Sequence, residues 1–90
     1  MDFDFDPNKD RFNQEKHGIS LSEAAHIEWD TALEKLDDRD DYGEDRYRAF
    51  GFIGNRLYCV VYVDRNEVRR VISSRKANAR EVGEYVKASQ

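Results

Sequence analysis

The chain has 90 residues, 38% of them charged and 39% hydrophobic, and a net charge of -4, which allows one modest core and a single domain over residues 1–90. No apolar run nears the roughly 20 residues of a membrane helix, and the start M-D-F-D-F-D is the opposite of a basic signal peptide, so a cytoplasmic address is expected. The one cysteine, Cys59, can build neither an internal disulfide nor a metal cage, and inside L-Y-C-V-V-Y-V it reads as a buried small hydrophobe.

In chain order, Met1 to Asp6 alternates Phe with Asp, the pattern of a short half-buried strand. Asp6 can cap a helix whose first residue is Pro7, with Asp10 favoured at the positive end of the helix dipole. Gly18 should end that helix after Lys16 or His17. Ser20-Leu21-Ser22-Glu23 has the form of a capping box opening a second helix, with Leu21, Ala24, Ala25 and Ile27 to Trp29 on its apolar side. A weaker strand is expected over Thr31 to Leu36. The acidic run from Asp37 to Asp45 reads as a solvated, mobile connection without chemistry.

From Arg46 the pattern becomes that of a meander: a strand to Ile53, a turn at Gly54-Asn55, a central strand from Leu57 to Val63, a turn near Arg65-Asn66 and a strand from Val68 to Ser73. A last helix starts at Asn78, where Asn78 and Glu81 form a second capping box, and continues through Val82, Tyr85 and Val86. The expected class is α+β, in the order β-α-α-β-β-β-β-α, with two N-terminal helices and one C-terminal helix on one face of an antiparallel sheet.

Charge is distributed unevenly along the chain. Residues 1–45 hold 5 Lys/Arg against 15 Asp/Glu, and residues 46–90 hold 10 against 4, so the halves carry -10 and +6, which sum to -4. That asymmetry suits an anionic partner on a basic surface. There is no Gly-rich phosphate loop, no dinucleotide fingerprint, no H-E-x-x-H and no G-x-S-x-G, and His17 and His26 lack cysteine partners, so no metal site or cofactor is expected. Arg46 and Arg48 share one strand face, Arg69 and Arg70 point oppositely, and Arg75-Lys76 lies where the last strand meets the helix. Together these cations can bind phosphates, with Tyr47, Tyr58, Tyr62 or Tyr85 available to stack on an unpaired base. Each arginine can equally lie along an amphipathic strand or pair with an acid of the first half. Lys16-His17 is a second candidate for proton transfer beside an anion, against the plainer reading of cations favoured at a helix C-terminus.

These residues resemble the BrnT-type toxins of type II toxin-antitoxin modules. The resemblance is carried by F-D-F-D-P-N-K-D-R-F-N-Q-E-K-H-G-I-S-L, by E-D-R-Y and by R-R-V-I-S-S-R-K-A-N-A-R-E-V-G-E-Y. The ordered set is Asp6, Lys9, Asn13, Lys16-His17-Gly18, Arg46, Ile72-Ser73, Arg75-Lys76-Ala77, Glu81 and Tyr85. Leu21 stands where an aromatic residue is common, and Asn66 replaces the usual turn glycine, which asparagine tolerates. The resemblance implies a RelE-like fold and a metal-independent ribonuclease that arrests growth, in which the RNA 2'-hydroxyl attacks the adjacent phosphate. It also implies neutralisation by a BrnA-like antitoxin with a ribbon-helix-helix part, and contact with operator DNA only through that complex. On that basis Arg75 and Arg46 would stabilise the phosphoryl oxygens, Lys16 or His17 would move a proton, and Arg48, Arg70, Lys76 and Tyr85 would contact RNA. Arg75→Ala is expected to abolish cleavage with folding intact. The alternative is a non-enzymatic partner-binding or co-repressor module acting only in complex with a DNA-binding antitoxin.

Overall fold

In the computed structural model, which describes residues 1–90, the chain forms strands β1 (Asp2–Asp4), β2 (Leu33–Asp37), β3 (Arg46–Ile53), β4 (Arg56–Arg65) and β5 (Val68–Lys76). Helices α1 (Pro7–His17) and α2 (Ala79–Ala88) and two 3₁₀ segments, Leu21–His26 and Trp29–Thr31, complete the α+β fold. The sheet order is β1-β5-β4-β3-β2. The three β2–β5 pairings are antiparallel, but β1 runs parallel to β5, so the sheet is mixed where an antiparallel one was expected. Alternation of Phe and Asp marks a strand without specifying its partner. A strand whose connection to its neighbour runs through most of the chain is free to pair in either sense.

Local rules account for most elements. Asp6 accepts a hydrogen bond from the Asn8 amide at the start of α1, and Gly18, at φ 71, turns the chain left-handed at its end. The β3–β4 hairpin closes through Gly54 at φ 62. In the β4–β5 hairpin Asn66 (φ 49) and Glu67 (φ 67) both take positive φ, the geometry whose twist matches the flanking strands. The α2 capping box forms in full: the Asn78 side chain accepts from the Glu81 amide and the Glu81 carboxylate accepts from the Asn78 amide.

The second expected helix is a 3₁₀ segment instead. Its buried residues Leu21 and Ala24 and its C-cap Ile27 recur every three positions, a ridge that 3.0 residues per turn keeps in line and 3.6 does not. Only the Ser20 half of the expected capping box forms, with the Ser20 hydroxyl accepting from the Ser22 amide at 3.2 Å. The Ser20 hydroxyl and the Leu21 amide both donate to one Asp10 oxygen, and Glu23 turns to His26 at 3.9 Å. Asp10 therefore ties α1 to the segment that follows it.

The layers differ from expectation as well. Leu21, Ala24 and Ile27 pack with Ala49, Val60, Tyr62 and Val71 on one sheet face, whereas Tyr85 of α2 packs with Phe50, Leu57 and Cys59 on the other. Successive strand residues point to opposite faces, so the helical segments sit on both sides of the sheet rather than one. Gly51 permits the close approach of the first layer, since a side chain there would run into Ile27. Helix α1 lies along the β5 edge beyond β1. There Asn13, only 3% exposed, substitutes for a strand: its side chain accepts from the Ser74 amide at 3.1 Å and donates to the Ser74 carbonyl at 2.9 Å.

Candidate functional site

The residues of α1 that face the sheet fall at helical spacing, Lys9, Phe12, Asn13 and Lys16, with His17 beside them. This stripe is usually apolar. Here it is polar and basic apart from Phe12, so α1 does not close down on the sheet and a pocket of about 620 Å³ remains between them. Cys59 and Val61 of β4 and Ile72, Ser73 and Arg75 of β5 line the sheet side, and Arg39 enters from the connection after β2.

A β-bulge decides which β5 residues face this pocket. Tyr62 pairs with Val71 but Val61 pairs with Ser73, leaving Ile72 unmatched, so Arg75 falls opposite Cys59. Unbroken alternation from Val71 would have placed Arg75 opposite Tyr58, on the other face.

The pocket carries five basic side chains, Lys9, Lys16, His17, Arg39 and Arg75, and no carboxylate lines it. Two of its cations are anchored from behind. Arg39 donates through Nε and Nη2 to the two oxygens of buried Asp37, at 2.7 and 2.8 Å. Arg75 donates through Nη1 and Nη2 to the two oxygens of Glu81, at 2.8 and 2.9 Å, and through Nη1 more weakly to the Lys76 carbonyl. A guanidinium has five N–H donors in a fixed fork, so the Nε and outer Nη2 edge of Arg75 stays open to an oxyanion. The Arg75 hydrogen bond holds the Glu81 carboxyl down at about 2, and the same bond raises Arg75 above its ordinary value. Burial, reinforced by Lys16 and Arg75, lowers the pKa of His17, so its neutral form persists to lower pH than in a free histidine. Burial raises the Cys59 thiol, consistent with its reading as a core hydrophobe.

Of the residues singled out in the sequence, Lys16, His17 and Arg75 come together in this pocket. Lys76 lines an adjoining pocket that shares His17. Arg46 and Arg48 lie on the same sheet face but outside the pocket: Arg46 stacks on Tyr42 at 4.1 Å, and Arg48 reaches Asp37 at 4.0 Å. The arginine that joins Arg75 in the pocket is Arg39 rather than Arg46. Arg70 is paired with Asp4 at 2.6 Å beside β1. Tyr85, expected to contact RNA, is 8% exposed. Its ring meets Phe52 edge-on at 5.4 Å and its hydroxyl donates to the Thr31 carbonyl, so it belongs to the core and keeps no face for a base.

The sequence profile of BrnT, the ribonuclease toxin of type II toxin-antitoxin systems, matches residues 5–81. The chain belongs to the BrnT family. BrnT proteins are ribonuclease toxins, so RNA is the target class and an antitoxin is the partner class. No individually curated protein matches the chain. The BrnT match takes in every residue that lines the cationic pocket and ends at Glu81, the carboxylate that holds Arg75. The sequence alone assigned no chemical role to Lys9, Phe12 or Arg39, which line this BrnT pocket. Lys9 and Phe12 were legible from their spacing to Lys16. Arg39, the lone cation in D-D-R-D-D, was hidden because its acidic neighbours suggested only a solvated loop.

Proposed function

We propose that this BrnT chain cleaves single-stranded RNA without a metal ion, by attack of a 2'-hydroxyl on the adjacent phosphate. The supporting observation is one pocket holding five basic groups and no carboxylate in a chain whose net charge is -4. Such a lining concentrates phosphate and stabilises charge that develops on phosphoryl oxygens, the work a metal ion would otherwise do. In this mechanism the open edge of Arg75 holds two phosphoryl oxygens, with Arg39 and Lys9 adding positive charge. Neutral His17 takes the 2'-hydroxyl proton, and the Lys16 ammonium protonates the departing 5'-oxygen. The 2'-oxygen bonds to phosphorus as the P–O5' bond breaks, giving a 2',3'-cyclic phosphate and a 5'-hydroxyl.

Arg46 and Arg48 extend the basic surface on the same face for flanking phosphates. The cognate partner in this reading is a BrnA-like ribbon-helix-helix antitoxin that blocks the pocket, with operator DNA contacted only through the complex. The site of action is the cytoplasm; no helix of the chain is long and apolar enough to cross a membrane.

The purified chain, incubated with oligoribonucleotides in EDTA, should yield cyclic-phosphate ends, and Arg75→Lys and His17→Asn should remove the activity while leaving circular dichroism unchanged. Cleavage that stops in EDTA and returns with a divalent cation would overturn the metal-free mechanism. Binding without turnover would favour the non-enzymatic module.

A further inference from the structure

His17 lines two pockets. Besides the cationic pocket it borders a second one of about 490 Å³, whose wall includes Ile53, Tyr58, Lys76 and Glu23. The end of β5 feeds both. Cys59 pairs with Arg75 and Tyr58 with Lys76, so these consecutive cations point to opposite sheet faces, Arg75 toward the first pocket and Lys76 toward the second. His17, at the C-terminus of α1, lies where the two meet.

The pockets share a further property. Each has an aromatic side chain beside a cation: Phe12, 63% exposed with the Lys16 ammonium 5.9 Å from its ring centre, in the first, and half-buried Tyr58 across from Lys76 in the second. An aromatic face next to a cation is the usual arrangement for holding a stacked base and its phosphate. They differ in charge: Lys9, Lys16, Arg39 and Arg75 line the first, whereas Lys76 is the one lysine or arginine of the second. The second pocket contains Glu23, whose carboxylate repels phosphate but accepts hydrogen bonds from base N–H groups, and no acid lines the first.

We propose that the second pocket is a base subsite, so that the enzyme grips a dinucleotide step of single-stranded RNA with the scissile phosphate at His17. One flanking nucleotide lies in the first pocket against Phe12, and the other wraps around the end of β5 into the second, its base on Tyr58 and its edge toward Glu23. This rests on the ribonuclease reading above and adds to it a selection of the base on one side of the cut. It also gives a reason for the consecutive pair Arg75-Lys76: the phosphate passes between two cations that a single strand presents on both faces.

The test uses oligonucleotides that are 2'-deoxy except at one position, with each of the four bases placed on either side of the cleavable bond. Wild type, Lys76→Gln, Glu23→Gln, Tyr58→Leu and the remote control Lys87→Gln are compared. Lys76→Gln should raise KM several-fold with kcat at saturation nearly unchanged, and Tyr58→Leu should raise it about tenfold. Glu23→Gln should change base preference on one side of the bond only, a response that a merely structural role would not produce. Wild-type KM and wild-type preference on both sides in Lys76→Gln and Glu23→Gln would overturn the subsite while leaving the ribonuclease reading intact. A wild-type chain that cuts none of these substrates would overturn both.

Discussion

Arg75 serves two purposes, and they are coupled through Glu81. The same carboxylate that closes the α2 capping box accepts both Nη groups of Arg75, so the helix start and the cation of the pocket form one unit. Arg75→Ala is therefore not a silent probe of catalysis. It leaves the Glu81 carboxylate, nearly buried, with only the Asn78 amide, and should cost about 1–3 kcal/mol of stability by chemical denaturation. Arg75→Lys keeps the charge and is the better test of cleavage. The pair also sets an acid limit. Glu81 is held at about 2 against an ordinary 4.5, and a carboxyl depressed by folding stabilises above its unfolded value and loses that contribution as pH falls through its folded one. Stability should decline between pH 4.5 and 2 by roughly 3 kcal/mol from this group, and Glu81→Gln should flatten that part of the curve. His17 gives a kinetic counterpart. If its neutral form is the base, kcat/KM should rise with pH along a limb centred below 6.5, and a midpoint above that value would contradict its environment.

At the level of elements, α1 is held to the sheet by hydrogen bonds more than by apolar contact. Asn13 also donates to the Ile19 carbonyl at 2.8 Å, so one amide fastens both the β5 edge and the chain beyond Gly18. Asn13→Ala would leave the Ser74 amide and two carbonyls without partners. We expect a loss of about 2–4 kcal/mol, together with faster hydrogen exchange at Ser74. A loss no larger than that of an exposed Gln14→Ala control would show that water replaces the side chain. The β4–β5 turn offers a gain instead. Glu67 sits at φ 67, a conformation costing an L-residue with a side chain about 1 kcal/mol, so Glu67→Gly should raise the denaturation midpoint.

These elements also show what local reading captures. The caps of α1 and α2 and both hairpin turns depend on neighbouring residues and were visible in the sequence. The 3₁₀ segment was visible only in the three-residue spacing of Leu21, Ala24 and Ile27, which the capping-box pattern at Ser20 masked. Capping boxes mark where a helix starts and leave its pitch open; the pitch follows from the sheet face against which those three residues pack.

For the whole molecule, a pI near 5.1 means that the long-range field repels RNA while the pocket attracts it. Much of the positive charge is already neutralised internally, as in Arg69, which donates to Asp64 and stacks on Trp29 and Tyr62. Binding should therefore rest on few phosphates. About three phosphate contacts to a single strand give a log–log salt slope near -2, which Lys9→Gln with Lys16→Gln should reduce by about 1.4. Fluorescence anisotropy of a labelled oligoribonucleotide in increasing salt measures it, and a steeper slope would mean that Arg70 engages as well as the pocket, Arg46 and Arg48.

By itself the sequence determined the α+β class, the helix caps and hairpin turns, the family, and the cationic residue types of the pocket, because each depends on near neighbours or on an ordered set of side chains. Only the tertiary structure decided which cations meet. Sheet pairing put β1 parallel to β5, the bulge at Ile72 turned Arg75 from the sheet face of Tyr58 to that of Cys59 and the cationic pocket, and Asp37 folded back to place Arg39 beside it. The face a strand residue occupies alternates with every position, so one unmatched residue reverses it, and no local pattern records the partner strand against which that residue is counted.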